Sequence, residues 1–398
     1  MKVLHLYANH KWTGPADLAI VLARAQVGQP LPRAGRDPRR PDSIEPSLAL
    51  AGHVHAGMPH AIGARAGELE LPTRKGLALH KHFHLPSLFK DARRLAAWID
   101  DGSVDLLHAH QSADHLTAAL SLGLSRRRVP LVRSFWEDRV PLPTPRQAFA
   151  FARSSAVVVS YPSQAPLFQS RFGLGSDRIR CLDPVLDTRP AEATDRSSTR
   201  SSLRHELGLD EDAFLVGITA RIQRKRRWNL HWELLAELAP SFEELHFAVL
   251  GRPDEGVFEE LCGAPLRRLG LQDRAHFLGY RQGERYWSAL ASLNAFLFLV
   301  PGTDASCRAL REAMLLGLPV LSSDLGRLPE IVSDGEDGLV RPARTTSLAA
   351  GLAELLRDGE LRARLGARAR GKARERWSGG LQLDGIRELY ARLLERSS

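Results

Sequence analysis

The sequence predicts an α/β protein built from two doubly wound parallel-sheet halves. Three observations carry this. Short apolar runs alternate with helical patterns over residues 2–182 and again over 214–374, the signature of βαβ units. Between them, residues 188–202 (TRPAEATDRSSTRSS) are polar and show no apolar period. The 398 residues, 43% hydrophobic and 25% charged, form an ordinary globular composition with room for two or three domains.

Taken in order, Lys2–Tyr7 reads as a buried strand, and Gly14 and Pro15 lead into an amphipathic helix over 16–25. Further helices are expected over 88–99 and 114–122. Strands are expected over 105–110 (DLLHAH), 130–134, 156–160 and 179–182. Residues 28–65 fit neither period, being full of Gly, Pro, Arg and isolated His. A second strand and its helix belong there, and three readings stay open: a long loop that wraps a ligand, a disordered stretch, or a lineage-specific segment. The first domain is placed at 1–187 and the polar stretch is read as a linker, 188–204. The second domain, 205–378, holds strands at Phe214–Thr219, 246–250, 276–278, 295–299, 319–322 and 338–340, and two helices over 347–374. A last amphipathic helix covers 383–395.

Cys181, Cys262 and Cys307 lie far apart with no C-x-x-C pair, which argues against a disulfide framework and a zinc site. The opening MKVLHLY runs straight into a strand pattern, with no apolar leader. No stretch nears the roughly 20 apolar residues of a membrane span. A cytoplasmic location is expected, with a peripheral place on the inner membrane face as an extension of it. Net charge is +9. Solvated arginines on helix faces explain most of it. Attraction to an anionic membrane surface ranks second. Nucleic acid ranks last, because no cluster of basic residues with stacking aromatics is present.

Open parallel sheets bind ligands outside the carboxyl ends of their strands. After the strand at 295–299 comes PGTDASCRALREAMLLGLPV, with Asp304 and Glu312 separated by seven residues. Ser306, Cys307 and Arg308 would form the first turn of a helix there, and its free N–H groups favour phosphate. Glu312, further along, suits the two hydroxyls of a ribose. Taken alone, an N-capping Asp304 and a surface Glu312 are the plainer reading. After Phe214–Thr219 stands ARIQRKRR, which puts Arg221, Lys225 and Arg226 at a neighbouring strand end. Such cations can hold a diphosphate leaving group. Arg224 and Arg227 are read as a solvated turn. Gly326 allows close backbone approach, and Glu330 begins a helix.

The stretch from 214 to 340 resembles the donor half of the retaining glycosyltransferases of family 4, the group 1 glycosyltransferases. It carries Asp304-x7-Glu312, Ala313–Met314, Gly317, Pro319–Val320, Pro329–Glu330–Ile331–Val332, Asp334–Gly335 and Gly338. The departure is Asp304, where the family has Glu. The resemblance implies a GT-B fold, two Rossmann-like domains facing a central cleft, with the segment 379–398 returning to the first domain. It implies transfer of a sugar from a nucleotide-sugar donor with retention. No metal and no cofactor are implied, the nucleotide sugar being a co-substrate. Arg221 and Arg226 match the family's phosphate-binding pair, with Lys225 as a fallback, and Arg281 with Tyr280 matches its base-binding segment. Gly14 matches a glycine-rich loop near donor and acceptor. His110 matches the histidine beside the transferred sugar.

His108 is read as a packed strand residue pointing the other way. His80, His82 and His84 are read as an ordinary polar loop rather than a metal cluster. Arg133 and Glu137 follow a strand and could reach the acceptor. The expected acceptor is a glycan or lipid-linked intermediate of envelope, lipopolysaccharide or exopolysaccharide synthesis. Two rivals remain: a nucleotide-sugar epimerase of the same architecture, and a non-catalytic glycosyltransferase-like subunit.

Overall fold

A computed structural model describes residues 1–10, 14–32, 42–52, 60–301, 306–378 and 380–397. The chain forms two compact units: residues 1–186 with 379–398, and residues 187–378. Each is a Rossmann-like parallel sheet with helices on its faces.

The first unit carries β1 (Lys2–Tyr7), α1 (Gly14–Gln26), β2 (Glu45–Leu50), α2 (Ala61–Glu68), β3 (Thr73–Arg74), α3 (Leu85–Asp100), β4 (Leu106–Ala109), α4 (Ser112–Leu124), β5 (Leu131–Phe135), α5 (Pro145–Arg153), β6 (Ala156–Val159), α6 (Ala165–Phe172) and β7 (Ile179–Cys181). The strands lie parallel in the order β3-β2-β1-β4-β5-β6-β7. Strands covered on both faces read as continuous apolar runs rather than alternating ones, and in β1, β4, β5 and β6 nearly every residue is buried. Leu95 and Ile99 of α3, Ala118 of α4 and Ala150 of α5 close one face over Leu4, Leu6, Leu107 and Leu131.

The second unit carries α7 (Arg189–Glu192), α8 (Arg196–Leu207), β8 (Phe214–Thr219), α9 (Trp228–Leu238), β9 (Leu245–Leu250), α10 (Ala264–Leu269), β10 (Ala275–Gly279), α11 (Gly283–Ala291), β11 (Ala295–Phe298), α12 (Arg308–Leu315), β12 (Val320–Ser323), α13 (Leu328–Ile331), β13 (Leu339–Arg341), α14 (Thr345–Arg357) and α15 (Gly359–Trp377). Its strand order is β10-β9-β8-β11-β12-β13, the same pattern as in the first sheet. The core gathers Val216, Ile218, Trp228, Trp232, Phe247, Leu297 and Leu321. The last helix, α16 (Gly380–Ser397), belongs to the first unit. Its Ile386, Leu389, Tyr390 and Leu393 cover the opposite face, over Val3, Leu22, Leu106, Val132 and Val158.

Two expectations need correction. Residues 28–65 do contain the missing strand: β2 pairs in parallel with all six residues of β1. Its sequence, EPSLAL, opens on Glu and Pro and leaves too few apolar positions to show a period. The helix expected with it, α2, is short and rich in Gly and Ala, and His60 caps it by accepting from the Gly63 N–H. Residues 33–41 and 53–59 of this stretch lie outside the described residues. The segment 188–204 is not a linker but carries α7 and most of α8. Asp195 caps α8 at one end and Gly208, in the left-handed region, at the other, so end chemistry replaces the missing apolar stripe. Arg204 is buried, and its guanidinium donates to the carbonyls of Ala213 and Ser292 and to Asn294 Oδ1.

Candidate functional site

In both sheets the strand order reverses direction at one place: between β1 and β4, and between β8 and β11. Ligands in such sheets bind at the carboxyl ends of the strands flanking that point.

In the first unit, Asp114 pins the reversal. It stands in the first turn of α4 and accepts the N–H groups of Ala8 (3.0 Å), His110 (3.1 Å) and Gln111 (2.9 Å). These follow β1 and β4, so one carboxylate joins the two strand ends. Burial raises the Asp114 carboxyl to about 7, against the pull of Arg133 and of those N–H donors.

Beside it lie three stacked rings. His5 is paired in register with His108, and the His108 and His110 centroids are 4.5 Å apart. His108 therefore does not point away from His110. Residues two apart on a strand share a face. The polar contacts run in one direction. The Trp136 indole N–H, which can only donate, gives to His110 Nδ1 at 3.2 Å. All three imidazoles are held well below their ordinary pKa by burial, His5 down to about 4, so they are neutral. His110 must then carry its proton on Nε2 and donate to His5 Nδ1 (2.9 Å). His5 Nε2–H donates to Gln26 Oε1 (2.8 Å), and Gln26 Nε2 donates to the Tyr390 hydroxyl (3.3 Å). That hydroxyl gives to His108 Nδ1 (2.5 Å), and His108 Nε2–H gives to Ser134 Oγ (2.7 Å).

The three histidines bring ring nitrogens within 4.8 Å of one another, a cluster that could hold a metal among the described residues. Every lone pair in it is already aimed at by a donor of the chain. The cluster is wired as a hydrogen-bond chain rather than as a ligand set. His110 itself is fully buried with both ring nitrogens engaged. Gly14 is the first residue of α1, and the three residues before it lie outside the described ones. Arg133 is buried and pairs with Glu137 at 2.6 Å.

In the second unit a cation spans the reversal. Arg226, in the turn after β8, donates to the Val300 carbonyl beyond β11 at 2.8 Å and lies over the Phe298 ring. Lys225 beside it is exposed. Arg221 is exposed and reaches Asp254 at 3.5 Å. The backbone is tight here: a Cβ on Gly251, at the end of β9, would collide with the Ala220 carbonyl oxygen. Across the gap, Ser306 and Cys307 are buried and precede α12. Cys307 takes a left-handed φ of 42°. For a non-glycine residue that conformation costs of order 1–3 kcal/mol and concentrates at functional sites.

Glu312, one side chain into the core of α12, receives two donors: Arg308 Nε at 2.6 Å and the Tyr286 hydroxyl at 2.5 Å. Burial, with the Glu312 charge behind it, drives the Tyr286 phenol well above its ordinary pKa, so it stays a donor. Asp304 lies outside the described residues. Arg281 does not join this group. It follows β10, the edge strand, and its guanidinium binds Glu206 and the Leu278 carbonyl. Edge position places it two strands from the reversal. The loop after β12 is held by its own contacts: Lys372 Nζ donates to Asp337 (2.7 Å) and to the Ile331 carbonyl (2.6 Å), and Arg341 pairs with Asp334. Gly326 has a φ of 59°, and a Cβ there would press on Pro301 at 3.0 Å.

Sequence reasoning missed Tyr286, which sits on α11 with nothing in its neighbourhood to mark it. It also missed His5, Gln26, Trp136 and Tyr390. The one available signal was the period: His5 shares a face with Val3 and Tyr7 and lies opposite His108 in the register with β4.

Residues 199–372 match the family model of group 1 glycosyl transferases. The group 1 match lies wholly within the second unit and takes in α12, Glu312 and the basic turn. Among relatives, the chain is 27% identical over 304 residues to a D-inositol 3-phosphate glycosyltransferase of Stackebrandtia nassauensis, covering 73% of this chain and 62% of that protein. It is 27% identical over 225 residues to an alpha-D-kanosaminyltransferase of Streptomyces kanamyceticus, covering 55% of this chain and 56% of that one. The chain thus spans less than two thirds of the length of these relatives. Among solved structures, Anabaena HepE in complex with UDP-glucose superposes with a TM-score of 0.75 at 20% identity, covering all of both chains. A glycosyltransferase from Rickettsia africae superposes with a TM-score of 0.80 at 12% identity, covering 99% and 98%. The fold is GT-B, two Rossmann-like parallel-sheet domains.

Proposed function

We propose that this chain is a glycosyltransferase that moves a sugar from a nucleotide-sugar donor to a glycan or lipid-linked acceptor, with retention and without a metal. The observation that carries the proposal is the Arg226–Arg308–Glu312–Tyr286 group at the β8/β11 reversal, inside the stretch that matches group 1 glycosyl transferases.

The chemistry follows from charge. Cleavage of the sugar–phosphate bond leaves charge on the diphosphate. Arg226, Lys225 and Arg221, with the N–H groups at the start of α12, oppose it with fixed positive charge where it develops. Such a set does the work that a divalent ion does elsewhere. Glu312, oriented by Tyr286 and Arg308, is the carboxylate assigned to a ribose diol, whose hydroxyls donate to such a group. Asp304 would orient the sugar. His110 acts through position, its tautomer set by Trp136 and His5. The relative bound to UDP-glucose makes uridine diphosphate sugars the first donors to try.

A thermal-shift screen of nucleotide sugars, followed by nucleotide release with and without candidate acceptors, tests the proposal. Acceptor-dependent release supports it. Conversion of the donor into another nucleotide sugar with no acceptor would make the chain an epimerase, and binding without release would make it a non-catalytic subunit.

The acceptor is assigned to envelope glycan or lipid-linked intermediates because a basic and apolar patch lies on the first unit. Phe83, Leu85 and Phe89 are about half exposed, among Lys81, Lys90, Arg93 and Arg94. Near an anionic leaflet each such basic residue adds about 1 kcal/mol, and no helix among the described residues is long and apolar enough to cross a membrane. Flotation with anionic and neutral liposomes checks this, and equal recovery with both would remove the membrane from the proposal.

A further inference from the structure

The loop of alternating histidines, which the transfer reading leaves unused, borders a cavity of about 270 Å³ in the first unit. Ligand sites commonly run from about 300 to 1,000 Å³, so this one suits a ring system or a short branched group rather than a long chain. Its floor is apolar: Phe135, Phe151 and Leu116 line it. The deeper polar groups are already satisfied. Asp91 accepts the Ala78 and Leu79 N–H groups at 2.9 and 2.8 Å, and His115 Nε2 is bonded to Ser154 Oγ at 2.7 Å.

The rim differs. Lys81 and Arg146 both line the mouth and are exposed. Among the described residues no carboxylate pairs with either. Arg146 stacks its guanidinium on Phe83, with the carbon 3.6 Å from the ring centroid, which holds the cation in place while its N–H edge stays available. The first turns of α3, α4 and α5 line the same cavity through Ser87, Ser112 and Gln147, and the positive ends of three helix dipoles add to the field. An apolar floor under a cationic rim, with the one buried acid of the lining tied to the Ala78 and Leu79 N–H groups, complements an apolar body that bears an anionic group.

We infer that this cavity binds a compact apolar group joined to a phosphate or carboxylate, and that it is the acceptor subsite of the transfer. The second clause rests on the function proposed above, and the first stands without it. The anionic group meets Arg146 and Lys81, and the apolar body fills the space over Phe151 and Leu116.

Titration of the full-length protein with 1-naphthyl phosphate, 1-naphthol and inorganic phosphate tests it. Naphthyl phosphate should bind at least roughly tenfold tighter than either fragment, as a charge-assisted pair added to ring burial implies. The double variant Arg146→Glu with Lys81→Glu changes only exposed side chains. It should bring naphthyl phosphate down to the level of naphthol. Leu116→Trp should fill the cavity and abolish binding of both aromatic probes. UDP affinity should stay within twofold in all variants, and UDP should not displace the probe. Naphthyl phosphate binding no tighter than inorganic phosphate, unchanged binding in the double variant, or displacement by UDP would each overturn the site. In a working transfer assay the double variant should raise the acceptor KM and leave the donor KM alone. The reverse pattern removes the acceptor role. Absence of any transfer sinks the proposed function while the binding result stands.

Discussion

At the β1/β4 reversal the joining group is an acid, Asp114, that gathers backbone N–H donors, and the histidines beside it are neutral, buried and mutually satisfied. At the β8/β11 reversal the joining group is a cation, Arg226, that holds a backbone carbonyl, and the side chains beyond it are charged and partly open to solvent. The same strand order has been finished in two materials. A neutral chain of hydrogen bonds has its partners already and serves to orient its own members. A group of fixed cations around one carboxylate has charge to offer a ligand. The proposed division of labour at the two reversals follows: leaving-group chemistry in the second unit, positioning in the first.

The sharpest way to break this comparison is Glu312→Ala. It removes the acceptor shared by Tyr286 and Arg308, and turnover of a cognate donor should fall by roughly a hundredfold or more, an effect of about 2.7 kcal/mol. Steady-state kinetics at saturating donor decides it, and activity within a few-fold of wild type would mean that Glu312 touches no substrate. Folding should survive, at the cost of one unsatisfied phenol, about 1–3 kcal/mol.

In the first unit the largest effect should fall on stability. His5→Leu strands His110 Nε2–H and Gln26 Oε1 in a dry core and should cost about 2–4 kcal/mol in chemical denaturation. Tyr390→Phe keeps the shape and removes one hydroxyl with two partners, for about 1–3 kcal/mol. Losses below about 0.5 kcal/mol for both would show that the chain is not closed as described.

The pH dependence separates the two materials further. His5, His108 and His110 are neutral when folded and take up protons near 6.5 when unfolded. Between pH 6.5 and about 4 the unfolded state therefore binds more protons. Stability should fall as pH drops through that window, by up to about 1.4 kcal/mol per pH unit for each histidine. Asp114, raised to about 7, works the other way between about 4 and 7, one group against these three and against His115, His231, His246 and His276, which burial also lowers. Denaturation midpoints from pH 7 to 4.5 test the sign, and a flat or rising midpoint on acidification refutes it. The smallest effects belong to the exposed rim of the charged site. Arg221→Ala, whose partner is 3.5 Å away in solvent, should change donor KM by about threefold or less. EDTA should leave turnover within about twofold, since the cations already supply the charge. Loss on chelation with rescue by manganese would reassign the leaving-group chemistry.

Much of the fold was legible because parallel strands buried on both faces are short apolar runs, as in KVLHLY and FLVGIT. β2 was not, since EPSLAL spends its first positions on Glu and Pro and its pairing energy comes from a full register with β1. α8 was hidden for the opposite reason: its surface is Ser, Thr and Arg, and what holds it is capping and one buried guanidinium. In the site, Glu312 and Arg226 could be found because each follows a strand in sequence. Tyr286 could not, lying 26 positions from Glu312 on another helix. Arg281 was proposed from a local likeness to a base-binding segment. Only strand order shows that its own strand is at the edge.

One feature of the first unit bears on how the protein is made. The face formed by Val3, Leu22, Leu106, Val132 and Val158 is covered by α16, whose residues are synthesised after the whole of 187–378. At about 5–20 residues per second a ribosome takes about 10–40 s over that interval. For that time the second unit can complete its sheet while the first waits with an uncovered apolar face and with His108 lacking the Tyr390 hydroxyl. The nascent first unit is thus the stage at which a chaperone has something to hold. A ribosome stalled before residue 380 would carry a first unit that lacks its covering helix.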